Sequence, residues 1–179
     1  TGHGETALSS AVSDAMDKSG MNVTELNLLT QGAIPQDCSL LIMNAPARDI
    51  SADEKEMLTD YLKNGGRMLL LAGCTQDTLA NLTDFISQYG MDLKNGFVAD
   101  PAPQHFYNNN PFNVIPDYDF ANSLLSGIDS SAAALLVQPA GMTIQENPSE
   151  HITVQPFLTT SDSGILVDPE VGGQAVLGR

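Results

Sequence analysis

Along residues 6–19 the apolar side chains fall at Ala7, Leu8, Ala11, Val12, Ala15 and Met16. That double stripe at helical spacing predicts a helix with one buried face, and Gly20 supplies its stop. Residues 23–29 read as a strand. Residues 39–43 (SLLIM) form a short continuous apolar run, the pattern of a central strand covered on both faces. Ser51-Ala-Asp-Glu54 is a capping box, and Met57, Leu58, Tyr61 and Leu62 supply the buried stripe of the helix it opens. Gly65-Gly66 ends that helix, and residues 67–72 (RMLLLA) read as another buried strand. A turn at Gly73-Cys74-Thr75 leads into a helix over residues 76–89, with its stripe at Leu79, Leu82, Phe85, Ile86 and Tyr89. A short strand follows at residues 97–99.

Residues 100–119 are rich in Pro and Asn and form a long connection. A short helix at 120–125 and strands at 133–138, 142–145 and 152–159 make an irregular β-rich tail. Apolar strands separated by helices predict parallel pairing with right-handed crossovers. The expected fold is therefore α/β: a three-layer, doubly wound, mainly parallel sheet, read as a single domain over residues 1–179. The helix opening at residue 6 predicts a further strand just upstream of these residues.

Composition narrows the function. Among 179 residues only seven are Lys or Arg against 22 Asp or Glu, giving a net charge of −15. A chain so poor in cations is unsuited to neutralising phosphates, which excludes nucleic acid as a partner and disfavours docking on anionic lipid. No apolar run is long enough to span a bilayer. Cys38 and Cys74 are the only cysteines and form neither a disulfide framework nor a zinc pattern. No metal or cofactor is expected.

In doubly wound sheets ligands sit at the C-terminal ends of the strands. That rule places residues 1–5 (TGHGE), 44–49 (NAPARD) and 73–77 (GCTQD) around one cleft. Gly2, His3, Gly4, Glu5, Asn44, Arg48 and Cys74 are its candidate ligand-binding residues. Bare amides at a helix N-terminus can hold an anion, and His3 with Glu5 can act as an acid–base pair. Equally, the two glycines permit a tight turn and Glu5 favours the helix dipole. Cys74 occupies the place of a nucleophile between strand and helix but lacks the second glycine of a nucleophile elbow. A partner would have to be His3, His105 or His151. Arg48 can orient a carboxylate or sugar, or pair with Asp49. Asn22-Val-Thr24 and Asn81-Leu-Thr83 fit the glycosylation sequon, a short pattern that also arises by chance. Phe106, Tyr107, Phe112 and Tyr118 can stack on a sugar or pin the long loop to the body.

Four segments recur here in a recognisable order. TGHGE precedes an amphipathic helix, and IPQDC (residues 34–38) leads into SLLIMNAP. ISADE (50–54) opens a helix, and YLKNGGR (61–67) leads into MLLLAG. Together they resemble the soluble domain of GldG-type auxiliary subunits of ABC transporters, the gliding-motility-associated group. The resemblance covers most of the chain and extends to residues 90–100 and 156–161. It implies an extracytoplasmic domain tethered to a bacterial membrane by helices outside these residues, with an ABC permease and ATPase as partners. It also implies a fold like that of class I glutamine amidotransferases, with no catalytic residues to carry over. An amidotransferase-like or ThuA-like enzyme using Cys74, and a glycan- or small-ligand-binding module, are the alternatives.

Overall fold

The computed structural model describes residues 1–75, 77–146 and 148–168, and the backbone of 174–176. The chain divides into two compact units, Thr1–Phe85 and Ile86–Arg179.

In the first unit, helix α1 (Ser10–Lys18) starts where the Ser9 side chain accepts the amide of Val12. Its stripe is not buried as expected: no residue of α1 is fully buried, and Val12 is exposed. The strand expected over 23–29 does not form. Asn27 instead accepts the Thr30 amide and caps a single-turn helix, α2 (Leu28–Gln31), which Gly32 closes in the left-handed region. Strand β1 (Leu41–Asn44) buries Leu41 and Met43. Helix α3 (Ala52–Lys63) carries the full capping box between Ser51 and Glu54. Strand β2 (Met68–Leu71) runs parallel to β1, with Leu41 opposite Met68. Its Leu69 and Leu71 are exposed, so β2 is covered on one face only. Helix α4 (Ala80–Ser87) is shorter than expected, and the first residue of the expected helix, Gln76, lies outside the described residues. Leu28, Met43, Ile50, Leu58 and Leu82 are the most deeply buried side chains of this unit.

The second unit is built on β3 (Met91–Ala99), of which the expected strand at 97–99 is only the end. The long connection holds the hairpin β4 (Phe106–Tyr107) and β5 (Asn110–Val114), then β6 (Asp117–Tyr118). Asn108 and Asn109, both at φ 55°, make its two-residue turn, the conformation a primed hairpin requires. A 3₁₀ turn (Ser123–Leu125) replaces the expected short helix. Strands β7 (Leu136–Val137), β8 (Ala140–Ile144), β9 (Leu158–Thr159), β10 (Ile165–Val167) and β11 (Gln174–Val176) follow. The largest sheet has the order β11-β10-β3-β8, and all its pairings are antiparallel.

The three-layer, doubly wound, mainly parallel sheet expected from the sequence, flavodoxin-like or amidotransferase-like, is therefore not the fold. Among the described residues β1 and β2 make the one parallel pair; the other pairings are antiparallel and the helices are short. Two physical reasons account for this. Local capping by Asn27 removed one expected strand. The next strand after α4, β3, pairs with later strands β8 and β10 instead of extending the β1–β2 pair.

Candidate functional site

The site belongs to the first unit and begins with backbone. The His3 carbonyl accepts the amides of Ala47 and Arg48, both at 3.0 Å, and the Thr6 amide donates to the Asn44 carbonyl at 2.9 Å. The Asn44 side-chain amide returns a bond to the Thr6 carbonyl at 2.9 Å. The Thr75 hydroxyl donates to the Ala47 carbonyl at 3.1 Å. Gly73 lies against Ala45, where an added Cβ would meet the Ala45 Cβ at 3.3 Å. These bonds draw all three strand-tip segments of the sequence reading to one end of the β1–β2 pair.

His3 is the centre of this end and is 4% exposed. Its Nε2 lies 3.1 Å from Glu54 Oε2, and its Nδ1 lies 3.0 Å from Thr1 Oγ1. The Thr1 hydroxyl donates to Glu5 Oε1. Glu5 is not the acid–base partner of His3. Its Oε2 accepts the amides of Gly2 and His3 at 3.1 and 2.8 Å, making a turn of the kind the two glycines permit. Burial works to raise the Glu5 pKa. Hydrogen bonds from the Thr1 amino group and the backbone amides of Glu5 and His3 outweigh it and hold the carboxyl below its ordinary value.

Glu54 is the residue that the sequence reading used only as a helix cap. Its Oε2 also accepts the Ser51 amide at 2.8 Å, while the Glu54 amide donates to Ser51 Oγ at 3.2 Å. Its Oε1 is buried without a partner. A signal was present: Glu54 lies on the same helical face as Met57, Leu58 and Tyr61, a carboxylate on a buried stripe. Around this pair lies an open cavity of about 300 Å³, lined among others by Gly2, His3, Arg48, Asp49, Glu54 and Asn81. Asp49 does not pair with Arg48. Its carboxylate accepts the amides of Asn81 and Leu82 at 2.8 and 3.0 Å, and that of Ile50 at 3.0 Å, holding the start of α4. Arg48 is exposed and makes no ion pair among the described residues.

The remaining candidates separate. Cys74 is half-buried on the turn after β2, and both cysteines are outside any disulfide. Both His3 nitrogens face Thr1 and Glu54 rather than a thiol. Cys38 contributes to a second cluster. The Tyr61 hydroxyl lies 3.2 Å from the Cys38 carbonyl and 3.0 Å from the Arg67 carbonyl, and it accepts the Arg67 amide at 3.2 Å. Burial, reinforced by the Cys38 thiol, pushes the Tyr61 phenol above its ordinary pKa. Asn81 donates its amide to the Ile50 carbonyl at 2.7 Å, whereas Asn22 is exposed. In the second unit Phe112 packs edge-on against Phe97, and Tyr118 stacks on Phe120. Tyr107 is exposed beside the hairpin turn. His105 lies 3.9 Å from Asp100 Oδ2 and 4.0 Å from Asp117 Oδ1. No cluster of three metal-ligating side chains exists among the described residues, and none of their helices is long and apolar enough to cross a membrane.

No family model matches the chain, and no curated protein does. Solved structures do match. One, described as "mmIFT52 N-terminal domain", superposes with a TM-score of 0.61 over 87% of this chain and 71% of that one. At 16% identity, the chain is similar to that domain in fold, and the likeness extends to nothing else.

Proposed function

We propose that this is a non-catalytic binding and scaffold domain of an ABC-type, gliding-motility-like transport system. It is held on the extracytoplasmic face of a bacterial membrane by helices outside these residues, beside a permease and an ATPase. One observation carries this reading: the motifs that resemble the GldG-type group are consumed by one another. His3 of TGHGE bonds Glu54 of ISADE. Tyr61 of YLKNGGR bonds the Cys38 carbonyl at the end of IPQDC and closes onto Arg67 of its own segment. Polar groups spent on holding a frame together are what architectural motifs supply, and no nucleophile–base pair is left among them. The net charge of −15 suits a domain kept soluble and off anionic headgroups while tethered elsewhere.

The test uses the full-length protein in its native cells. Tagged and extracted in mild detergent, it is expected to carry the permease and the ATPase with it. Protease added outside the cells is expected to digest this domain. Recovery from the cytosol without either subunit overturns the reading. A Cys74 thiol that reacts with a labelling reagent far faster than free cysteine at neutral pH favours the enzyme alternative instead.

A further inference from the structure

We propose that two copies of this chain pair through β8, the strand Ala140–Ile144 of one lying antiparallel to the same strand of the other about a two-fold axis at Met142. The inference stands on the second unit alone and does not rest on the transporter reading.

The ladder on β3 shows which side of β8 is already used. At one end the Pro139 carbonyl accepts the Val98 amide, and at the other the Gln145 amide donates to the Gly90 carbonyl, both at 2.9 Å. Residues alternate in direction along an antiparallel strand, so 139, 141, 143 and 145 bond inward to β3. Ala140, Met142 and Ile144 turn their amides and carbonyls outward, and these groups have no hydrogen-bond partner among the described residues. β8 ends the sheet order β11-β10-β3-β8, so this side is an edge. Natural edges are blunted by charge, proline or a bulge. Here those devices stop short: Gln138, at φ 49°, and Pro139 precede the strand, and residues 140–144 (AGMTI) carry none.

Side chains and charge commit the edge to a second copy. Directly opposed residues share a face, so Met142 lies beside Leu93, and Ile144 beside Met91. Met142 and Ile144 are 41% and 44% exposed. Two-fold pairing sets Met142 against Met142 and Ile144 against Ala140. It continues one apolar band across both copies and forms about six backbone bonds, two for each opposed pair. On the other face Asp92 is already matched by Lys94 and Gln145, so no charge there calls for an oppositely charged partner. A chain carrying −15 tolerates its copy only along an uncharged seam, and β8 is one. The axis also sends the two Glu146 residues to opposite ends of the ribbon, roughly 26 Å apart at about 3.3 Å per residue, beyond the screening length. The contact uses β8 of both copies and closes at a dimer.

The experiment is sedimentation equilibrium of the 179-residue chain, with amide hydrogen exchange followed by NMR at low and high concentration. Between about 20 µM and about 1 mM a monomer–dimer equilibrium is expected, with its dissociation constant inside that range. Exchange at the Met142 and Ile144 amides is expected to slow about tenfold or more across it. Raising salt from about 20 to about 150 mM is expected to tighten the dimer, because it screens the repulsion between two acidic chains. Met142→Lys sets two cations face to face at the axis, and at an exposed position it is expected to keep the folded spectrum and weaken pairing about tenfold or more. Met142→Pro removes an outward amide and no bond to β3, and is expected to weaken pairing as much. A monomer throughout the range overturns the proposal. So do a dimer with unchanged exchange at Met142 and Ile144, a dimer that salt weakens, and parental pairing by a folded Met142→Lys or Met142→Pro.

Discussion

Each unit of the molecule buries a carboxylate, and the two are used differently. Asp100 in the second unit is fully buried. It accepts the Ala102 amide at 3.1 Å, the Ser161 amide at 2.7 Å and the Ser161 hydroxyl at 2.7 Å. Both of its oxygens are matched from within the unit, and it ties the end of β3 to the turn before β10. Glu54 in the first unit is as deeply buried, but only one of its oxygens is matched. The neighbouring histidines follow suit. His3 sits at hydrogen-bond distance from Glu54, whereas His105 stays 3.9 Å from an Asp100 that needs nothing more. A saturated buried carboxylate is a joint. One with a spare oxygen leaves part of its burial uncompensated.

The sharpest test of that contrast is at Asp100. Asp100→Ala strands two backbone amides and removes three charge-assisted bonds, with an expected loss of about 3–5 kcal/mol. Asp100→Asn keeps the shape but weakens every bond and is expected to cost about 2 kcal/mol. Hydrogen exchange resolved by segment should show protection lost in β3 and in residues 159–163, within the second unit. Loss below about 1 kcal/mol in Asp100→Ala would mean the bonds are not a joint at all.

Packing around the motif residues gives the next effect. A Cβ on Gly66 would lie 2.5 Å from the Tyr61 ring, the ring whose hydroxyl joins Cys38 to Arg67. Gly66→Ala is expected to cost about 1–3 kcal/mol, read from the urea midpoint, with Tyr61→Phe smaller. Here the sequence was informative: Gly65-Gly66 was legible as a stop because a helix ended there, and the capping box at Ser51 was legible because its four residues are local. The joining of three strand-tip segments also followed from parallel strands β1 and β2. What escaped was non-local or locally overridden. Glu54 meets His3 across a separation of 51 residues. The strand β3 hid behind Asp92, Lys94 and Asn95, whose polarity broke the apolar run, so its antiparallel partners were not anticipated. At residues 23–29 the apolar pattern suggested a strand, but one Asn27 side chain decided for a helical turn.

At Glu54 the comparison predicts a smaller penalty than at Asp100 for the same chemical change. Glu54→Gln loses the carboxylate beside His3 but strands no further group, since its NH2 takes the place of an oxygen that already had no partner, and Gln still serves in a capping box. Its expected cost is within about 1 kcal/mol, half or less of that for Asp100→Asn. If Glu54→Gln proves the more damaging of the two, the spare oxygen is not spare, and the site is held by a bond stronger than its geometry implies.

Glu5 separates saturation from burial, and its effect should be the smallest. Like Asp100, it has both oxygens engaged, one by the Thr1 hydroxyl and one by the amides of Gly2 and His3. Unlike Asp100, it is partly open to solvent, so its bonds are screened. Its pKa is lower in the folded chain than the ordinary value of 4.5. The stabilisation it gives is therefore present above that ordinary value and is lost as pH falls through the folded one. Glu5→Gln should then be less stable than the parent by about 0.5 kcal/mol at pH 7, with the difference vanishing once the carboxyl is protonated in both states. Urea midpoints of the two proteins at pH 7 and in mild acid measure it. A difference independent of pH would assign the effect to the shape of the turn rather than to its charge, and saturation alone would no longer explain why Asp100 matters.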